Sequence, residues 1–192
     1  LDPAARTVQF AIDGMALDVG GIGKGFAASE ALAAIGAVGI RHALVAVSGD
    51  LAFGDAPPGQ AGWRIRVHRE PAETSPVPPV LLLTNAAVST SGNLEQHLDV
   101  DGTRYSHVID PRSRQGLTDD ITVTVLAPRG IEADGLDTAM GLLGAERGLA
   151  RIEQRPPAAA LIVTREDGRV DMRPSSRLRA WIDARGTPAP RP

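Results

Sequence analysis

ITVTVLAPRGIEADGLDTAMGLLGAERGLA, residues 121–150, passes from one hydrophobic period to another. Ile121, Val123 and Val125 recur at every second position, the spacing of a strand with one buried face. From residue 132 onward Ala133, Leu136, Met140 and Leu143 recur at helical intervals; at about 100° per residue they share one stripe of a helix over 132–143. Asp134, Asp137 and Thr138 fall together on another arc of that helix. A second helix is predicted over 145–154, and ALIVTREDGRVDM then reads as a hairpin turning at Asp167-Gly168.

Upstream, residues 7–12 and 15–19 read as two strands around an Asp13-Gly14 turn, and residues 20–36 as a helix with a glycine-rich entrance. Residues 42–47 form a short apolar strand ending in SGD, and 63–68 alternate as another. Residues 70–79 are a Pro-rich loop, 80–84 and 86–89 are strand material, and an Asp101-Gly102 turn joins a further pair within LDVDGTRYSHVID. Neighbouring strands come as hairpins rather than in strict βαβ alternation. The fold class is therefore α+β, a mixed or antiparallel sheet with helices packed on it. The expected organisation is one region over 1–186 and a disordered tail, TPAPRP, over 187–192.

The 192 residues carry 43% hydrophobic content and a net charge of −3, with Arg scattered rather than clustered, which argues against nucleic acid as a partner. There is no cysteine, so disulfides, thiolate nucleophiles and Cys-type zinc sites are excluded. Any metal must sit on oxygen or imidazole, which makes hard cations the natural candidates. No stretch approaches the roughly 20 apolar residues of a membrane span.

Three stretches could carry chemistry. In LDVGGIGKGFAASEA, residues 17–31, Lys24 is the only lysine of the chain, set among glycines where a helix begins. Successive N–H groups there make either an anion site or a tight strand-to-helix turn with a solvated lysine. The stretch matches neither a P-loop nor a dinucleotide fingerprint, since Asp18, Gly25 and Phe26 stand at the deciding positions. The arc of Asp134, Asp137 and Thr138 is either a half-site for a hard cation or an acidic first turn favoured by the helix dipole. In RYSHVIDPRSRQG, His107 and Asp110 flank a strand end, where a histidine either faces a ligand or forms a structural hydrogen bond. VSTSG offers Ser89, Thr90 and Ser91 as a possible cradle without the elbow motif of a hydrolase.

Taken in order, these stretches resemble the FAD:protein FMN transferase family, the ApbE family. LDVGGIGKGFAASEAL is similar to its Gly-rich segment, LVAVSGDLAFGD to its following strand and turn, VSTSGNLEQHLDVDGTRYSHVIDPRSRQGL to its Ser-Gly plus His-x-x-Asp-Pro block, and residues 121–150 to its metal-binding helix with the preceding strand. The resemblance implies Mg²⁺-dependent cleavage of FAD, transfer of FMN to a Thr or Ser hydroxyl of an acceptor flavoprotein, and release of AMP. It further implies that Asp18, Lys24 and Ile109 contact FAD, that His107 is catalytic, and that the metal is held by Asp134, Asp137, Thr138 and the carbonyl of Gly21.

Where the family pattern has GGD this chain has Ser48-Gly49-Asp50, and where it has Thr-Gly after Asp-Pro-x this chain has Ser113-Arg114. The family's proteins also carry an N-terminal portion with adenine and flavin contacts that nothing here matches, so this chain alone is expected to bind FAD weakly. Two other activities fit the same residues: an Mg²⁺-dependent FAD pyrophosphatase and a flavin-binding module without turnover. The expected location, by resemblance, is the bacterial cell envelope on the periplasmic side.

Overall fold

The computed structural model describes residues 1–67, 80–92 and 97–181. In chain order its elements are α1 (Gly23–Ala37), β1 (Leu44–Val47), β2 (Asp50–Phe53), β3 (Trp63–Arg66), β4 (Val80–Leu83), β5 (Ala86–Gly92), β6 (His97–Val100), β7 (Thr103–Ser106), β8 (Ile109–Asp110), β9 (Gln115–Gly116), β10 (Ile121–Ala127), α2 (Gly130–Leu143), α3 (Ala145–Glu153), β11 (Ala159–Glu166) and β12 (Arg169–Pro174). A 3-10 turn at Ser176–Trp181 ends the described chain.

Six strands form one sheet in the order β1-β2-β5-β10-β11-β12, each antiparallel to its neighbours. The pairs β3–β4, β6–β7 and β8–β9 stand as separate two-stranded ribbons. Among the described residues every strand pair is thus antiparallel, and the chain is α+β.

The alternation along β10 decides which side of the sheet the helices cover. Ile121, Val123, Val125 and Ala127 face α2 and α3 and share a core with Ala133, Met140, Ile152 and Ile162. Leu126 points the other way, into a second core with Phe53, Leu81, Leu83, Val88, Leu161 and Leu178. The same period runs through β11, where Ala160 and Ile162 join the first core and Ala159, Leu161 and Val163 the second. Both faces of the central strands are buried, so a one-residue slip would exchange two apolar sets.

The register carries this logic to the site. Ser89 lies opposite Val125 on β10, so it faces the helices, whereas Val88 lies opposite Leu51 on β2 and faces away. On β2, Leu51 and Phe53 pack into the second core, which turns Asp50 and Ala52 toward the helices. A charged side chain therefore enters the helix-covered side from a strand that is otherwise apolar.

The N-terminal stretch departs from the sequence reading. Residues 8–22 contain no strand, and an isolated bridge between Asp2 and Thr7 is the pairing nearby. Val8, Phe10, Ile12, Met15, Leu17 and Val19 are exposed, so the alternation finds neither ladder partners nor a packing surface, and a hairpin by itself is marginal in water. The first helix begins at Gly23 rather than residue 20, because Gly23 and Ile22 both donate to the Val19 carbonyl in a preceding turn. The helix expected over 132–143 starts two residues earlier, at Gly130. The Pro-rich loop over 70–79 and the tail over 187–192 lie outside the described residues. No helix among the described residues is long and apolar enough to cross a membrane.

Candidate active site

Helix α1 reaches α2 backbone to backbone. A Cβ on Gly25 would fall inside contact distance of the Gly130 carbonyl, and a Cβ on Gly130 would do the same to the Gly25 carbonyl. Glycine at both positions is what permits this approach. Ser29 on α1 accepts the Gly130 N–H at 2.8 Å and ties the first turn of α2 to α1. The entrance of α1 has no side-chain cap of its own. Its third N–H, that of Gly25, instead donates to Asp134 Oδ2 at 3.0 Å. The glycine-rich entrance is thus an anion site, and the anion it holds is a carboxylate from α2.

Lys24 adds the charge. Its Nζ donates to Asp134 Oδ1 at 3.1 Å and to the Gly20 carbonyl at 3.3 Å, and it lies 3.5 Å from Asp50 Oδ2. Burial works against the ammonium, but the hydrogen bond to Asp134 and the charges of Asp50, Asp134 and Asp137 outweigh it and hold its pKa above the ordinary lysine value.

Asp50, Asp134 and Asp137 converge: one carboxylate oxygen from each lies within 4.8 Å of the others, and all three residues are 1% exposed. Ser89 stands between two of them, with Oγ 2.6 Å from both Asp50 Oδ1 and Asp137 Oδ2. Thr138 donates to Asp137 Oδ1 at 3.1 Å. Burial pushes the Asp137 carboxyl up to about 7, with the charges of Asp134 and Asp50 adding to the rise and the Ser89 hydrogen bond opposing it. Asp50 is raised as well, chiefly by burial. Its Oδ2 is buried with no hydrogen-bond partner.

These features fit a hard divalent cation. The donor set is all oxygen, and the three carboxylates, once ionised, would leave two negative charges against one ammonium for a dication to balance. Gly21 runs against the same helix: a Cβ there would sit 3.7 Å from Thr138 Cγ2, and its carbonyl lies 4.0 Å from a Cβ built on Gly135. Of the residues singled out from the sequence, Gly21, Lys24, Asp134, Asp137 and Thr138 therefore gather in one place.

The others lie on the periphery. Asp18 is exposed and accepts the Gly20 N–H at 2.6 Å, shaping the turn before α1. His107 and Ile109 are exposed in and beside the short β7–β8 connection. That connection is not remote from α2, since Ser106 and Val108 line a narrow crevice with Ser91 and Gly141, one helical turn beyond Asp137 and Thr138. Asp110 is engaged by Arg112, whose guanidinium donates to it at 2.7 Å and holds its carboxyl down at about 2.

A match to the model of the ApbE family runs over residues 1–162. The chain belongs to the ApbE family. The FAD:protein FMN transferase of Rhodobacter capsulatus is 34% identical over 185 residues, covering 96% of this chain and 35% of that protein. The FAD:protein FMN transferase of Treponema pallidum is 35% identical over 170 residues, 83% of this chain and 47% of that protein. Among solved structures, the apo flavinyl transferase ApbE of Pseudomonas stutzeri superposes with a TM-score of 0.72 at 33% identity, covering 86% of this chain and 51% of that one. The ApbE protein of Thermotoga maritima gives 0.76 at 26% identity, covering 88% and 54%. The chain thus spans about half or less of the length of these ApbE relatives.

Asp50 is the site residue that sequence reasoning missed in this ApbE chain, whereas Ser89 was read as part of a possible cradle with Thr90 and Ser91 but not as a partner of the carboxylates. A signal for Asp50 was present: in LVAVSGDLAF it is the one charged position in an otherwise apolar run. Its inward direction required the β2–β5 register, which the sequence alone does not supply.

Proposed function

We propose that this chain is the catalytic part of an Mg²⁺-dependent flavin transferase that moves FMN from FAD to a Thr or Ser hydroxyl of an acceptor flavoprotein and releases AMP. The observation that carries the reading is the buried convergence of Asp50, Asp134 and Asp137 in a chain of the ApbE family. The names of its relatives, FAD:protein FMN transferases, support the same reaction class.

Asp50, Asp134 and Asp137 would hold Mg²⁺, with the Thr138 hydroxyl and the Gly21 carbonyl beside them. The ion supplies neutralisation of pyrophosphate charge as the bridging bond breaks. The acceptor oxygen forms a bond to the phosphorus of the FMN half, the P–O bond to the AMP half breaks, and the hydroxyl proton passes to His107 as base. Lys24 holds Asp134 and offers its remaining N–H to the phosphates, while Asp18 and Ile109 border the FAD. The protein works on the periplasmic side of the bacterial cell envelope, a placement supported by the resemblance of the chain and compatible with its lack of cysteine.

The test is mass spectrometry of an acceptor domain incubated with this chain, FAD and either Mg²⁺ or a chelator. The expected product, with Mg²⁺ only, is acceptor bearing one FMN alongside free AMP. Free FMN and AMP with unmodified acceptor would mean that water is the nucleophile and would replace the transferase by a pyrophosphatase. Bound FAD that stays intact would replace it by a flavin-binding module.

A further inference from the structure

We infer that Ser89 is the positioning residue of the cation site, the hydroxyl that fixes how Asp50 and Asp137 present their oxygens. The inference rests on the reading of Asp50, Asp134 and Asp137 as a cation site. The three carboxylates are held in two separate ways. Asp134 is oriented by α1, through the Gly25 N–H and the Lys24 ammonium. Asp50 and Asp137 come from β2 and α2, and what they share is the Ser89 hydroxyl, 2.6 Å from an oxygen of each.

Ser89 is itself 1% exposed, so water has little access to replace it. A hydroxyl carries one proton and two lone pairs, so Oγ donates to one of the two carboxyl groups and accepts from the other where that one carries a proton. With one oxygen of Asp50 and one of Asp137 drawn to Oγ, Asp50 Oδ2 is left buried with no hydrogen-bond partner. Losing the hydroxyl would remove the one contact that Asp50 and Asp137 share, leaving Asp137 to Thr138 and Asp50 to the Lys24 ammonium. Groups that orient metal ligands in this way are worth about 10- to 100-fold in metal affinity.

The strand provides its own control. Thr90 is the next residue of β5 and faces the opposite side of the sheet, where its hydroxyl pairs with that of Thr124 at 3.0 Å. Thr90→Val removes a hydroxyl from the same strand without touching the carboxylates.

The experiment is a titration of the full chain with Mn²⁺ alone, followed by electron paramagnetic resonance, with a thermal melt of each variant. Wild type is expected to bind Mn²⁺, Ser89→Ala to bind it about 10- to 100-fold more weakly, Ser89→Thr to recover most of the loss, and Thr90→Val to match wild type. If Ser89→Ala does not fold, Ser89→Cys, a much weaker donor, carries the same comparison and the same expected loss. A Ser89 variant that melts earlier yet binds Mn²⁺ like wild type would make Ser89 merely structural and overturn the inference. Absence of Mn²⁺ binding in wild type would instead overturn the cation reading itself.

Discussion

Gly25 and Gly130 cross with no side chain between them, and the Gly25 N–H that this crossing brings forward is the one that holds Asp134. Helix packing and site assembly are therefore one event in this fold.

Alanine at either position should be destabilising. Replacing a helical glycine ordinarily gains about 1 kcal/mol of propensity, but a methyl here meets backbone, which cannot rotate away, and overpacking of this kind costs about 1–3 kcal/mol or more. Overpacking wins. Urea unfolding of Gly25→Ala and Gly130→Ala should show lower midpoints than wild type, with weaker Mn²⁺ binding; unchanged midpoints would mean that the two helices do not meet in this way.

Much of this was legible in the sequence because the signals were local. The β10 alternation and the α2 stripe name their own inward faces, and the arc of Asp134, Asp137 and Thr138 follows from helical geometry. The partners of that arc were not legible as such, since Ser89 and Asp50 reach Asp137 through strand register, across 48 and 87 positions of chain (residue 89 to 137 and residue 50 to 137). Residues 8–19 misled for the converse reason. Their alternation is as good as that of a strand, but a strand needs a neighbour, and none among the described residues runs beside them.

The metal-free protein should lose stability as pH rises from about 4 to about 7. The Asp137 carboxyl titrates near 7 in the fold against an ordinary 3.8, so its contribution is fully present below the lower value and lost as pH climbs through the higher. Asp50 is shifted in the same direction. Asp55, Asp99, Asp110 and Glu153 are lowered by hydrogen-bonding partners and act in the opposite sense, but only as pH falls below about 4. The loss should be on the order of a few kcal/mol, and saturating Mg²⁺ at pH 8 should return most of it. Melting temperatures in chelator that stay flat from pH 4 to 8 would contradict the burial of Asp137.

Two departures from the family pattern fall where the backbone is left-handed. Ser48 has φ +47 and Arg114 has φ +61, and both stand where the resemblance calls for glycine. A Cβ in that region costs about 1–2 kcal/mol, partly offset by the extra chain entropy that glycine loses on folding. Ser48→Gly and Arg114→Gly should each stabilise the protein by about 0.5–1 kcal/mol. A lower melting temperature for both would show that their side chains contribute more than the strain they impose.

The central claim, that the buried carboxylates form the cation site of flavin transfer, is tested most directly by AMP release from FAD in the presence of an acceptor, measured across an Mg²⁺ titration for wild type and Asp134→Ala. Release that rises with Mg²⁺ in wild type and is lost by about 100-fold or more in a folded Asp134→Ala is the predicted result. An Asp134→Ala protein that turns over like wild type in Mg²⁺ would contradict it.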